Sequence, residues 1–185
     1  MLAHVLRRLG MRARVRGWAE VTPAEIEAAD LLVAGPGPGD PRDVGSRRIA
    51  ALHGLIAART ARGGALLAVC LSHQVLAGLL GLPLAPLVRP YQGTQRRVRA
   101  FDREVRVGFY NTFTARLPPD ARRLPPGVQI FTDGTGGTDG EIVALRGPGF
   151  ASVQFHLESI LSPDGGDLLG ELAGELLAGC PGGVS

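Results

Sequence analysis

Two clusters of residues have types and spacings suited to chemistry, and a third to holding a ligand. The first is Ala68-Val69-Cys70-Leu71-Ser72-His73-Gln74, where a cysteine ends a continuous apolar run and has small residues two positions away on each side. A strand turning sharply into a helix exposes the residue at the turn and leaves no room for large neighbours, which is the logic of a nucleophile elbow. The start of the helix beyond it favours a thiolate over a thiol and offers N–H groups to an oxyanion. On position alone, Cys70 is equally readable as a small buried hydrophobe. The second cluster is Val153-Gln154-Phe155-His156-Leu157-Glu158-Ser159, a strand that ends in a histidine with a carboxylate two residues later. A nucleophilic thiol needs an imidazole to take its proton and a third group to orient that imidazole, and His156 and Glu158 have the right types. By itself the pair also fits an ordinary surface turn. The third is Gly35-Pro36-Gly37-Pro38-Gly39-Asp40-Pro41, whose glycines let backbone N–H groups approach a ligand while its prolines stiffen the loop. Pro36 and Pro38 interrupt a dinucleotide-binding fingerprint, and no helix begins within the loop.

The surrounding pattern supplies elements to hold these clusters. Leu2, Val5, Leu6 and Leu9 recur at helical spacing before Gly10, and Arg12 to Trp18 alternates as a strand would. Thr22-Pro23-Ala24-Glu25 has the form of a capping box with proline at the first helical position, and opens a short helix through Ala29. Asp30 to Ala34 is expected to be a buried strand leading into the Gly/Pro loop, followed by a helix from about Gly45 to Arg62. Ala65 to Cys70 is a second buried strand, and Ser72 to Leu80 is the helix after it. Strand, loop, helix, strand, helix implies a parallel sheet covered on both faces. Further on, β-favouring stretches at Thr94 to Phe101, Glu104 to Phe113, Val128 to Thr132, Glu141 to Arg146 and Ala151 to Phe155 suggest antiparallel or mixed strands. Asp164 to Ala178 closes the pattern as a helix. The expectation is one domain over residues 1–179 and a tail over 180–185. A leading helix with no strand before it is irregular for an open α/β sheet, and a chain that begins one strand late is the reading preferred here.

Composition narrows the chemistry. The 185 residues are 45% apolar and 20% charged, a balance suited to one compact domain. All 20 residues of the Lys+Arg total are arginine, so neither a lysine Schiff base nor a Walker A loop is possible. A net charge of +3 with Asp and Glu interspersed argues against nucleic-acid binding. The 2 cysteines, Cys70 and Cys180, lack metal-ligand spacing, and no metal site or disulfide framework is expected. Nowhere do 18 apolar residues run together, and the first residues lack a signal-peptide core, so the expectation is a soluble cytoplasmic protein without a membrane partner.

Taken together, the three clusters resemble those of the class I (triad) glutamine amidotransferases of the anthranilate synthase type. Pro36 to Pro41 resembles the family's PGPG loop, Cys70-Leu71-Ser72-His73-Gln74 its CLGHQ, and Val153 to Ser159 its VQFHPES, in the family's order and spacing over essentially the whole chain. Tyr91-Gln92-Gly93-Thr94-Gln95 and Val107 to Phe113, with the serine of CLSHQ, most resemble the amidotransferase parts of 2-amino-2-deoxyisochorismate synthases, which belong to phenazine biosynthesis. The resemblance implies a flavodoxin-like core with a further strand ahead of the first helix. It also implies glutamine hydrolysis by Cys70, His156 and Glu158, with ammonia passed to a chorismate-using synthase domain or subunit. Backbone N–H groups of Leu71 and Gly37 would form the oxyanion hole, and Gly37, Pro38, Gly39, Gln74, Asn111 and Thr112 would contact glutamine. No cofactor is implied in this domain, and Mg²⁺ is implied in the synthase partner. Ala68 and Ser72 stand where the family carries glycine, and Leu157 stands where it carries proline, which removes a conformational lock between His156 and Glu158. His73 reads as structural. The alternatives are an amidotransferase-like regulatory or interaction domain without full activity, and a free-standing cysteine hydrolase.

Overall fold

A computed structural model describes residues 1–117, 124–133 and 140–179. Cys180 and the expected tail lie outside those residues. Along the central sheet the strand order among the described residues is Leu31–Ala34 (β1), Ala65–Val69 (β2), Phe150–Val153 (β9), Glu141–Gly147 (β8), Phe113–Arg116 (β6) and Leu84–Pro86 (β3), with Gln129–Thr132 (β7) paired to β8 off that path. Its parallel half is β1, β2 and β9. Its antiparallel half is β8, β6, β3 and β7.

The continuous apolar run of β2 follows from burial on both faces. Ala65, Leu67 and Val69 point into one core with α1 (Leu2–Arg8) and α5 (Gly165–Ala178). Leu66 and Ala68 point into the other, with α3 (Arg47–Ala61) and α4 (Leu71–Leu79). The first core is closed by a separate hairpin, β4 (Thr94–Ala100) and β5 (Arg103–Phe109), whose turn residues Phe101 and Asp102 both have positive φ, at 53° and 64°. The short helix α2 (Pro23–Ala28) carries the capping box: Glu25 N–H donates to Thr22 Oγ1, and Thr22 N–H donates back to the Glu25 carboxylate.

Three expectations are corrected. Arg12 to Trp18 is no strand: Met11 and Ala13 turn toward the core as the alternation demands, but no neighbouring strand supplies a ladder, and the Ala13 carbonyl accepts from Arg7 Nη2 at 2.7 Å instead. β1 is only half-buried along most of its length, because it forms the edge of the sheet among the described residues. The stretch expected as one strand from Glu104 to Phe113 is two, since the chain leaves the hairpin after Phe109 and joins the main sheet at Phe113. Gly108 marks that crossing, where a Cβ would come within 2.8 Å of Leu161 Cβ. The sequence carries no signal for β3, a three-residue strand that Pro83 precedes and Pro86 ends.

Two buried polar side chains tie the helices to the sheet. Arg59 of α3, 7% exposed, donates to the carbonyls of Ile26, Ala29, Asp30 and Ala65, and so pins the connection between α2 and β1. His73 of α4 is fully buried, with Nδ1 2.8 Å from Ser152 Oγ and Nε2 3.2 Å from the Ile142 carbonyl. Those partners suit a neutral ring that donates through Nε2 and accepts through Nδ1. Burial outweighs the bond to Ile142 and pushes the imidazole down to about 4 from 6.5. Because the unfolded chain binds this proton more readily, stability falls as pH drops from about 6.5 toward about 4, by on the order of 3 kcal/mol. Denaturant unfolding at pH 7 and at pH 4.5 should therefore show a smaller acid loss for His73→Gln than for the parent chain. Equal losses would contradict a buried neutral His73.

Candidate active site

β1, β2 and β9 are adjacent and parallel, so their carboxyl ends open on one edge of the sheet. The pairings Ala34 with Ala68 and Val69 with Val153 make the three strands stop nearly together. The Gly/Pro loop, the cysteine turn and the His-Leu-Glu segment then leave side by side, a strand spacing of about 5 Å apart. Crevices at the carboxyl ends of such strands are where open α/β sheets bind ligands.

Cys70 is the N-cap of α4, with φ 56° and ψ −106°. A side chain in that region is strained, and it persists because both flanks are anchored. On one side β2 is wholly buried and Cys70 N–H donates to the Val153 carbonyl at 2.8 Å; on the other Gln74 N–H donates back to the Cys70 carbonyl at 3.1 Å. Ser72 lies within α4 and is not among the residues of positive φ, so its Cβ fits the turn. Its hydroxyl also makes a contact that glycine could not, donating to the Gly35 carbonyl at 2.7 Å and tying the Gly/Pro loop to the helix.

That loop lies against the cysteine turn: a Cβ on Gly37 would sit 3.6 Å from Leu71 Cδ2. Arg48 Nη1 donates to the Pro38 carbonyl at 2.9 Å, and Asp40 pairs with Arg42 at 2.7 Å. Gly39 needs its φ of 139° and packs against Ile49. The N–H of Leu71 belongs to the first turn of α4, where no intrahelical acceptor exists. Gly37 and Leu71 thus belong to neighbouring segments of the Gly/Pro loop and the cysteine turn.

His156 follows β9 and forms an isolated bridge with Gly108, donating its N–H to the Gly108 carbonyl at 3.0 Å. Its Nδ1 lies 2.9 Å from Glu158 Oε1, which leaves Nε2 for Cys70, the other group that acts on the ring. Burial pulls this imidazole down, but the bonds to Cys70 and Glu158 overcome it and raise it to about 9 from 6.5. For Glu158 burial works upward, and the bond to His156 prevails and lowers it. The arrangement therefore suits a protonated imidazole beside Cys70 near neutral pH, with a carboxylate orienting the ring.

The Leu157 turn is held without proline. Leu157 is itself buried, at 1% exposure. Ser162 Oγ donates to the His156 carbonyl at 2.5 Å and accepts from Gly108 N–H at 2.9 Å, and Ser159 N–H donates to the His156 carbonyl at 3.2 Å. Tyr110 packs edge-on against the His156 ring with centroids 5.0 Å apart, and its hydroxyl is 2.9 Å from Ser159 Oγ. Ser162 carries no sequence signal, being a hydroxyl in a loop, and Tyr110 lies in the Val107 to Phe113 stretch, where nothing local indicates that it packs on His156.

The remaining expected residues differ in exposure. Gln74 is buried, and its amide nitrogen is committed to the Phe113 carbonyl at 2.6 Å and to Gln154 Oε1 at 2.9 Å. Asn111 donates from Nδ2 to the Phe113 carbonyl at 2.9 Å, while its buried Oδ1 has no partner among the described residues. Thr112 is exposed, and its carbonyl accepts from Leu87 N–H at 2.8 Å. Among the described residues no group of three His, Cys, Asp or Glu side chains gathers as a metal centre, and no helix is long and apolar enough to cross a membrane.

Residues 1–173 match the family described as glutamine amidotransferase class-I. The chain is 40% identical over 181 residues to a phenazine-specific anthranilate synthase of Pseudomonas fluorescens, a match covering 98% of this chain and 28% of that protein. It is 34% identical over 154 residues to the pyocyanine-specific anthranilate synthase component 2 of Pseudomonas aeruginosa, covering 77% of this chain and 68% of that one. A glutamine amidotransferase crystal structure from Thermotoga maritima shares the fold with a TM-score of 0.64 at 18% identity, over 86% of this chain and 81% of that one. The chain thus spans little more than a quarter of the phenazine-specific relative.

If the two hydrogen bonds set the protonation of His156, NMR titration should find its ring changing charge near pH 9, and Glu158→Gln should bring that midpoint back toward 6.5. Since the folded value lies above the unfolded one, the pairing contributes its full stability below about pH 6.5, and the contribution is lost as pH rises through about 9. A midpoint near 6.5 in the parent chain would refute the ion-paired arrangement.

Proposed function

The chain belongs to the class I glutamine amidotransferases, and from that membership we propose that it hydrolyses L-glutamine and delivers the ammonia to a chorismate-using synthase. The reading rests above all on Cys70, His156 and Glu158 gathering at the carboxyl edge of β2 and β9, with His156 Nδ1 2.9 Å from Glu158 Oε1 and the ring raised by both neighbours.

In this proposal Cys70 Sγ attacks the side-chain carbonyl carbon of glutamine. The developing oxyanion takes hydrogen bonds from the N–H groups of Leu71 and Gly37, each worth roughly 3–4 kcal/mol in comparable sites. His156 gives its proton to the amide nitrogen, ammonia departs, and a γ-glutamyl thioester remains on Cys70. Water then loses a proton to His156 and attacks the thioester carbon, and glutamate leaves as the Cys70 thiolate is restored. Glu158 holds the imidazole in the tautomer and orientation that both proton transfers need. Gly37 to Gly39 and Thr112 line the glutamine side of the crevice, and the unpartnered Asn111 Oδ1 offers an acceptor to the substrate's ammonium. Gln74 contributes from within the wall, since its amide nitrogen already serves protein partners.

Thioester chemistry of this kind needs no cofactor in this domain. The partner is the chorismate-using, Mg²⁺-dependent part of an anthranilate or 2-amino-2-deoxyisochorismate synthase, and the names of the Pseudomonas relatives favour a phenazine-type product. The site of action in this proposal is the cytoplasm.

Glutamate release from pure chain and glutamine, measured alone and with such a synthase part, tests the proposal. Turnover should rise when the synthase is present, and Cys70→Ser should lower it about a thousandfold or more. Absence of turnover under both conditions, with Cys70→Ser indistinguishable from the parent, would sink the enzyme reading in favour of an interaction domain.

A further inference from the structure

Cys70 is touched on two sides. The His156 ring is one neighbour, and the other is the side-chain amide of Gln154, whose Nε2 lies 3.8 Å from Cys70 Sγ. Gln154 is 1% exposed and stands between the end of β9 and His156, with its backbone N–H held by the Val143 carbonyl at 2.9 Å. A buried amide at this position must find partners at both of its ends, and its orientation is dictated by a neighbour.

That neighbour is Gln74. The Phe113 carbonyl can only accept, so the atom of Gln74 lying 2.6 Å from it is the amide nitrogen. The second proton of the same nitrogen points to Gln154 Oε1 at 2.9 Å. With Oε1 engaged as an acceptor, Nε2 is the end of Gln154 that faces sulfur. Rotating Gln154 by half a turn would oppose two NH₂ groups, and rotating Gln74 would oppose two carbonyl oxygens. The chain of donation from Gln74 to Gln154 to Cys70 therefore has one direction, anchored on a backbone carbonyl, and it runs through a buried region where such bonds are strong.

Building on the glutaminase reading above, we infer that Gln154 is a further catalytic residue of this site, donating an N–H to the Cys70 thiolate, and that Gln74 is the positioning residue that aims it. The donor is an amide that cannot take up the thiol proton, so it stabilises the anion without competing with the base. It also restrains Sγ before attack, which a strained cysteine at the tip of a turn does not do unaided. Gln154 sits in the segment that carries His156, so one strand end supplies both of the groups that face the thiol.

The test reads the thiolate directly. Second-order alkylation of Cys70 by iodoacetamide is followed from pH 6 to pH 10, alongside glutamate release and thermal unfolding. Gln154→Leu should alkylate about tenfold more slowly at pH 6.5 and within about twofold of the parent at pH 10, where ionisation no longer limits the rate. Gln74→Leu should shift the profile in the same direction by a smaller factor, since Gln154 is then untethered but present. Gln154→Asn, which remains polar but draws the donor out of reach, should behave as Gln154→Leu does and replaces it if that variant fails to fold. An unchanged rate at pH 6.5, or equal slowing at pH 6.5 and pH 10, overturns the assignment. Because alkylation needs no glutamine, a parent chain without glutaminase activity would defeat the functional proposal while leaving the Gln154 result decisive on its own.

Discussion

Everything at the site depends on the parallel ladder that joins β1, β2 and β9. A ladder fixes two things at once, the order of the strands and the height at which each one stops. Here the order brings the Gly/Pro loop, the cysteine turn and the histidine segment next to each other, and the register aligns Val69 with Val153, one residue before Cys70. The hydrogen bond from Cys70 N–H to the Val153 carbonyl continues the ladder into the turn itself. A one-residue slip would reverse the faces of β2, sending Leu67 and Val69 into the wrong core. The hydrophobic demand of two buried faces therefore holds the chemistry in place.

The site's electrostatics come from partners more than from burial. His73 and His156 are both withdrawn from solvent, yet their imidazoles are pushed in opposite directions. His73 meets a hydroxyl and a carbonyl, neither of which carries charge, and desolvation prevails. His156 meets a thiol and a carboxylate, and those bonds outweigh desolvation. The first ring is fit to pack between helix and sheet, and the second to carry a proton.

Substitutions at motif positions are compensated in three dimensions. Ser72 uses its hydroxyl to fasten the Gly/Pro loop to α4, so the loop bearing Gly37 is tied to the turn bearing Cys70. Leu157 enters the core, and the turn it occupies is held by Ser162, Ser159 and Tyr110. The bonds of Ser162 and Ser159 to the His156 carbonyl are local, whereas the pairings of Tyr110 with Ser159 and of Ser72 with Gly35 join residues far apart in the chain.

The apolar run of β2, the helical spacing in α3, α4 and α5 and the capping box of α2 were all legible along the chain, because each depends on neighbours within a few residues; Cys70, His156 and Glu158 were marked only by the resemblance that the three clusters carry together. Local patterning also misled: Arg12 to Trp18 alternates as a strand does but has no ladder to join, and Glu104 to Phe113 reads as one strand but is divided at a crossing that Gly108 permits. The tertiary structure alone decided that β9 joins β2 in the parallel half, that Ser162 and Tyr110 brace the histidine turn, that Arg59 is buried among carbonyls, and that Gln74 turns its amide inward to aim Gln154 at sulfur. Hydrogen bonds between distant segments exist only after strand order and register are set, and a single sequence carries no periodic signal for them.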